Sequence, residues 1–244
     1  MTTESIRTVV WFSAGAPSAV AAKLTIAKGP CVIAYTDPGS EHSDNERFIQ
    51  DCEKWFGQEV LRLKGKYQDT WEVYEKERYL VGPSGAKCTT ELKRKVRFKF
   101  ERPTDIQVFG YTYEEEHRAE RFRDQNPGVT LDTPLIEKKL TKSDCLAMVQ
   151  RAGIELPAMY QLGYEYNNCI GCPKGGMGYW NKIRVDFPQV FDRMAKVERE
   201  LNHTCLRSKG QPVFLDELDP NRGNIQTEPS IECSLLCQLA EDEM

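Results

Sequence analysis

Buried apolar runs, small-residue turns and amphipathic runs alternate along the first half of the chain, and this alternation constrains the fold most. RTVVWF (7–12) is a run of β-branched and aromatic residues ended by SAGAPS (13–18), and the alanine-rich AVAAKLTIAK (19–28) follows. GPCVIAYTD (29–37) is a second apolar run, EHSDNERFIQDCEKWFG (41–57) an amphipathic one, and EVLRLKG (59–65) a third strand candidate. Further on, TDIQVFGYT (104–112) ends in glycine, EEEHRAERFRDQ (114–125) is a charged helix, and LTKSDCLAMVQRAGI (140–154) is helical, with Thr141 and Ser143 near its start and Gly153 near its end. Continuous apolar runs of this length suit parallel strands buried on both faces, and the runs between them supply crossover helices. The predicted fold is therefore α/β: a doubly wound, mainly parallel sheet with helices on both faces. From about residue 155 the pattern becomes loop-rich and cysteine-rich, apart from one more helix at FPQVFDRMAKVERELN (187–202). Two regions are expected: 1–154 as the α/β domain and 155–244 as a cysteine-rich irregular region packed on it.

Composition narrows the classes of function. The chain has 244 residues, 40% of them hydrophobic, enough for one large domain or a domain with an appendage. A net charge of −4 gives no bulk electrostatic case for nucleic acid, although KCTTELKRKVRFKFER (87–102) is locally basic. No apolar run reaches the roughly 18–20 residues of a membrane span, and the first residues lack an apolar segment of signal-peptide length. A soluble cytoplasmic protein with no membrane partner is expected. Nine cysteines is a high and odd number for a reducing compartment. Cys31 and Cys52 fall in apolar patterns and read as packing thiols; the others lie in polar or turn-rich sequence, which suits chemistry better.

The turn WFSAGAPSAVAAKL (11–24) joins a buried strand to a helix through small residues. Such a turn aims backbone N–H groups and a helix N-terminus at one spot, which favours phosphate or sulfate. Ser13 and Ser18 add hydroxyls, Gly15 permits close approach, and Ala14 and Ala16 keep the loop small. The stretch lacks the Gly-Lys-Ser/Thr ending of a Walker loop. It resembles the PP-loop of the adenine nucleotide α-hydrolase-like superfamily, usually Ser-Gly-Gly-x-Asp-Ser: Ser13, Gly15 and Ser18 match, and Pro17 replaces the aspartate. Members that split ATP between the α and β phosphates usually keep that aspartate. The sulfonucleotide reductases, which act on phosphoadenosine phosphosulfate (PAPS) or adenosine phosphosulfate (APS), generally lack it and continue into Ala-Val, as Ala19 and Val20 do here. The resemblance leans to the PAPS reductase family. It extends to YTDPGSEHSDNERFIQ (35–50), where the family places adenosine-binding residues and where Asp37, Glu41 and His42 stand beyond a strand end. CTTELKRK (88–95) resembles the family's Cys-Cys-x-x-Arg-Lys segment with Thr89 for the second cysteine, and nominates Lys93. GYTYEEEHRAERF (110–122) resembles its glycine-then-helix segment, and nominates Gly110 and Arg118.

CIGCP offers two thiolates, Cys169 and Cys172, to one metal or cluster. A lone Cys-x-x-Cys serves zinc, iron–sulfur and redox sites alike. Zinc would favour a second close pair, which Cys233 and Cys237 of IECSLLC provide at slightly wide spacing. The scattered spacing, together with the resemblance, favours a 4Fe–4S cluster on Cys145, Cys169, Cys172 and Cys233, with Cys88 or Cys237 as replacements. APS reductases have an early cysteine pair, which nominates Cys88; relatives in DNA phosphorothioation carry an upstream cysteine nearer the Cys-x-x-Cys, which nominates Cys145. IECS is similar to the Glu-Cys-Gly motif whose cysteine attacks the sulfate sulfur, with Ser234 in place of the glycine and no histidine following. Cys233 and Cys237 are thus the expected reactive thiols. GGMGYWNKIR (175–184) is expected to wrap the cluster or close over the nucleotide, with Tyr179 and Trp180 as a flat surface.

The expectation is a PAPS reductase-like oxidoreductase of the kind carried by phages or mobile elements. It binds an adenine sulfonucleotide, does thiol-based sulfur chemistry with a cluster nearby, and uses a protein reductant. The alternatives are an ATP-dependent sulfur-insertion enzyme of the same superfamily, in which nucleic acid is a partner, and a non-catalytic zinc- or nucleotide-binding module.

Overall fold

The computed structural model describes residues 6–83, 85–228 and 231. In chain order the elements are β1 (Thr8–Phe12), α1 (Ala16–Lys28), β2 (Val32–Thr36), α2 (Asn45–Phe56), β3 (Leu61–Leu63), α3 (Thr70–Glu77), β4 (Val81–Gly82) and β5 (Gly85–Ala86). A short α4 (Lys87–Thr89) runs through a π-turn (Thr90–Arg94) into α5 (Lys95–Phe100), followed by β6 (Ile106–Phe109), α6 (Glu116–Gln125), β7 (Thr130–Asp132), α7 (Pro134–Glu137), α8 (Lys142–Arg151) and α9 (Ala158–Gln161). The C-terminal part holds α10 (Met177–Asp186), α11 (Pro188–Leu201), β8 (Leu206–Ser208) and β9 (Gln211–Val213). No described helix is long and apolar enough to cross a membrane.

The chain divides into two compact units that interleave along the sequence. The first holds residues to Asp37, His42–Leu63 and Val96–Asn167; the second holds Pro38–Glu41, Lys64–Lys95 and the residues from Asn168 onward. The sequence suggested two consecutive stretches instead, because nothing in the local pattern of 64–95 shows which end of the chain it packs with.

The first unit is the expected doubly wound fold. Its five strands lie in the order β3-β2-β1-β6-β7, and all neighbouring pairs are parallel. Val9, Val10, Trp11 and Phe12 of β1, the central strand, are all at most 2% exposed, as a strand covered on both faces requires. Buried Val10, Phe12, Ala19, Ala22, Ile33, Phe48 and Val149 belong to one apolar core. The chain winds outward from β1 through β2 to β3, then returns to the other side of β1 as β6 and β7. The winding direction therefore reverses between β1 and β6, and the carboxyl ends at such a reversal form a crevice suited to ligands.

The second unit contains α3, which the aromatic-rich TWEVYEKE did not suggest. Asp69 caps it by accepting the Glu72 N–H at 2.8 Å. It also contains a β8–β9 hairpin in the stretch expected to be irregular, turning at Lys209 and Gly210 with φ of 49° and 80°.

Candidate functional site

The loop after β1 lies at the reversal point of the first unit. Ala14 is fully buried and left-handed, with φ 53°, a conformation costing a non-glycine residue about 1 kcal/mol. It is held from a distance in sequence: the Asn167 side-chain amide donates to the Ala14 carbonyl at 2.7 Å and to Asn45 Oδ1 at 2.8 Å. The reverse orientation of the Asn167 amide would set two acceptors against each other at Ala14, so the hydrogen bond fixes the assignment. Asn167 is 6% exposed, and among the described residues its buried Oδ1 has no partner.

Ser18 closes the loop. Its Oγ accepts the Ser13 N–H at 3.0 Å and donates to the Gly15 carbonyl at 2.9 Å. A hydroxyl has one proton, so the Ser13 hydroxyl is the donor in its 3.1 Å contact with Ser18 Oγ. Ser18 thus builds the loop, where the sequence suggested that it donates to an anion. Gly110, just past β6, has its reason here. A Cβ on it would stand 2.7 Å from the Ser18 Cα and 2.8 Å from the Ser18 nitrogen, so only glycine lets the first turn of α1 rest on that strand end.

One further residue from later in the chain, Tyr160, reaches this loop. A Cβ at Gly15 would come within 3.1 Å of the Tyr160 hydroxyl oxygen. Arg118 is paired with Glu115 and lies over the Tyr111 ring at 5.2 Å, so the arginine expected to bind an anion already has a carboxylate beside it. Lys142 lies 3.7 Å from the centre of the Tyr166 ring and 3.5 Å from Glu165 Oε1, and burial pulls its pKa below the usual lysine value. His42 Nδ1 accepts the Asp44 N–H at 3.1 Å at the start of α2. Asp37 continues from β2, its N–H donating to the Leu63 carbonyl at 3.0 Å. Tyr160, Asn167 and Lys142 lie in sequence with no nucleotide-site pattern; a tyrosine or asparagine in an irregular run carries no signal of where it folds back.

The remaining expected residues belong to the second unit. Glu41 and Lys93 pair with each other at 3.5 Å, both nearly buried, so Lys93 reaches a carboxylate of its own chain. Cys169 and Cys172 stand on a turn built around the Tyr179 hydroxyl. That oxygen accepts the Gly171 and Cys172 N–H groups at 3.0 and 2.9 Å and donates to the Cys169 carbonyl at 3.3 Å. Gly171 is left-handed there, with φ 76°. Tyr179, expected as a flat surface, is instead the keystone of the Cys-x-x-Cys turn. The glycines before it serve packing. Cβ atoms on Gly176 and Gly178 would strike the Glu228 carboxylate at 2.5 Å and the Ile225 nitrogen at 2.4 Å, and Glu228 accepts the Gly178 and Tyr179 N–H groups at the start of α10, at 2.5 and 3.1 Å.

Cys88 and Cys145 separate clearly. Cys145 is fully buried in the apolar core of the first unit, and burial pushes its thiol up to about 12. It fills a packing position on α8. Cys88 lies in the second unit with the Cys-x-x-Cys turn, and the buried Tyr74 hydroxyl contacts its Sγ at 3.6 Å. The Tyr74 hydroxyl is held neutral by burial and by the neighbouring thiols Cys88, Cys172 and Cys205. Cys205, for which the sequence suggested no role, is held protonated by burial next to Glu198, whose carboxylate accepts its N–H at 2.6 Å. Among the described residues no three His, Cys, Asp or Glu side chains are grouped to hold a metal ion. Cys233 and Cys237 lie outside the described residues.

No family model matches the chain. An uncharacterised protein of Methanocaldococcus jannaschii is 26% identical over 207 residues, covering 79% of this chain. The chain spans 41% of that relative's length.

Proposed function

We propose that the chain is a PAPS reductase-like enzyme that binds an adenine sulfonucleotide at the β1–α1 loop and uses a thiol to remove its sulfur. One observation carries the reading: a small-residue loop at the reversal point of a parallel sheet, with a left-handed Ala14 and a helix start pressed onto Gly110. Backbone N–H groups at a helix start, in a loop without bulky side chains, suit a phosphate or sulfate group.

The chemistry proposed for the thiol is substitution at sulfur. A thiolate of Cys233 or Cys237 attacks the sulfuryl sulfur; an S–S bond forms, the S–O bond to the nucleotide phosphate breaks, and the electron pair leaves with the phosphate. A dithiol protein reductant then attacks the bound cysteine sulfur. Sulfite departs, and the resulting mixed disulfide is resolved by the reductant's second thiol, which oxidises the reductant by two electrons. An all-thiolate donor set suits iron–sulfur or zinc binding. Cys169 and Cys172 would supply two of the thiolates of a 4Fe–4S cluster, with Cys233 and Cys237 as the further candidates; among the described residues no third thiol is grouped with them. Bound there, a cluster would tune the electrostatics of its surroundings.

Purification without oxygen tests the cofactor: a brown protein with about four irons per chain supports it, and a colourless protein with one zinc refutes it. Sulfite release from PAPS or APS supports the reductase. Pyrophosphate release from ATP without sulfite release would assign the chain to the ATP-dependent sulfur-insertion class instead.

A further inference from the structure

We propose that Glu228 and Asn168 are positioning residues: they strap the segment leading into the C-terminal tail onto α10 and the Cys-x-x-Cys turn, so that Cys233 is the tail thiol delivered to Cys169 and Cys172. Resting on the thiol reading above, this names which tail cysteine serves it and what places it there. The glycines at the start of α10 exist for the strap. A Cβ on Gly178 would stand 2.4 Å from the Ile225 nitrogen and 2.6 Å from the Asn224 nitrogen. A Cβ on Gly223, left-handed with φ 85°, would stand 2.2 Å from the Gly178 nitrogen. Two backbones therefore cross in direct contact, which a side chain at either position would prevent.

The segment is fastened on both sides of this crossing. Before it, the Asn181 side-chain amide donates to the Asp219 and Arg222 carbonyls at 2.9 and 2.7 Å. After it, the Thr227 and Glu228 N–H groups donate to the Asn224 carbonyl at 3.0 and 3.1 Å, and this turn brings the Glu228 carboxylate to the start of α10. There it accepts the Gly178 and Tyr179 N–H groups, at 2.5 and 3.1 Å, where the peptide dipoles favour negative charge. Tyr179 joins strap to turn, because its hydroxyl accepts the Gly171 and Cys172 N–H groups. The last fastening is at the turn itself: the Asn168 side-chain amide, next to Cys169, donates to the Ile231 carbonyl at 3.2 Å. A chain advances at most about 3.6 Å per residue. Cys233, two residues past Ile231, is thus on a tether of about 7 Å, and Cys237, six residues past it, on one of about 22 Å.

The full chain carrying Cys172→Ser, which cannot close the Cys-x-x-Cys disulfide, is treated with diamide, and its disulfides are mapped by peptide mass spectrometry. Diamide takes two electrons and two protons from a thiol pair and becomes the hydrazine, so it joins thiols that meet. Cys169 should pair with Cys233 about fivefold faster than with Cys237, since effective concentration falls as about the −3/2 power of tether length. In Asn168→Ala the nearest anchor is Glu228, the tethers become five and nine residues, and the preference should drop to about twofold. Glu228→Gln should slow the Cys169–Cys233 pairing about threefold to tenfold, the range of one hydrogen bond. Residues with a merely structural role would lower Tm and leave preference and rate unchanged. Equal pairing with Cys233 and Cys237, preference for Cys237, or no disulfide to Cys169 overturns the proposal without either strap variant. A preference unchanged by Asn168→Ala, or a rate unchanged by Glu228→Gln, overturns it as well. Sulfite release is measured separately on the wild-type chain. Preference for Cys233 in a protein that releases no sulfite from PAPS or APS supports the strap and refutes the reductase. Preference for Cys237 with sulfite release overturns the strap and keeps the reductase.

Discussion

Replacing Gly110 with alanine puts a methyl carbon 2.7 Å from the Ser18 Cα, 2.8 Å from the Ser18 nitrogen and 3.0 Å from the Pro17 carbonyl carbon. All three are backbone atoms, so no side chain can rotate away. Relief requires the first turn of α1 to part from the end of β6. Overpacking of this kind costs about 1–3 kcal/mol, and loosening the Ser18 hydrogen bonds that close the loop adds about 1 kcal/mol. For a chain of this size each kcal/mol lowers Tm by about 2–4 °C, so a fall of about 5–10 °C is expected. The matched control is Gly128→Ala, where an added Cβ meets nothing within 4 Å; its effect should stay within about 0.5 kcal/mol. Thermal unfolding followed by circular dichroism measures the cost, and pyrophosphate titration measures the loop. Gly110→Ala should lose affinity as well as stability, because the same shift displaces the Gly15 and Ala16 backbone. If the two alanine variants were equally stable and bound pyrophosphate alike, the reasoning that ties this glycine to the loop would be wrong.

Cys145→Ala should cost about 1–2 kcal/mol as a small core truncation and leave the metal content of anaerobically purified protein unchanged, whereas Cys169→Ala should lower it. Iron and zinc measured per chain decide between the two cysteines, and the opposite pattern would restore Cys145 as a ligand. Asp44 accepts Arg47 Nε and Nη2 at 2.7 and 2.9 Å and the Ala158 N–H at 2.9 Å, and Arg47 holds its carboxyl below the ordinary value of 3.8. A depressed folded pKa stabilises above the unfolded value and is lost as pH falls through the folded one. Asp44→Asn should therefore cost about 1–2 kcal/mol at neutral pH. The gap to wild type should close as pH drops below 3.8; a gap independent of pH in denaturant titrations would count against the ion pair as its cause.

The sheet was legible because its signal is local. Strand runs such as VVWF and VIAY are buried on both faces and therefore apolar without interruption, and each is followed within a few residues by its turn. Gly110 was legible only as a resemblance; its reason is steric and lies some ninety residues away at Ser18. Residues 64–95 gave no sign of joining the C-terminal unit, since the contacts that place them, such as Ser40 with Thr70 at 2.8 Å, depend on folding and not on spacing. Cys145 misled for a related reason. A cysteine on an amphipathic helix near a Cys-x-x-Cys looks like a fourth ligand in one dimension, yet its position on α8 faces the apolar core with Val149.

The loop itself shows why its residue types alone under-determine its chemistry. Short polar side chains there were expected to reach outward, but Ser18 spends its only proton on Gly15 and its lone pairs on Ser13. What faces a ligand is then mainly backbone, and backbone N–H groups are the same whether or not an aspartate stands at position 17. Selectivity must come from side chains brought in by the rest of the first unit. The structure supplies two at the loop, Asn167 on the Ala14 carbonyl and Tyr160, whose hydroxyl lies beside Gly15. Both follow α8 within the same irregular run, and Asp44 fastens the start of that run by accepting the Ala158 N–H. On the proposed nucleotide reading, a loop built by its own serines and read out by a distant segment could change ligand without changing its motif, and specificity would then lie in residues 155–167 more than in SAGAPS.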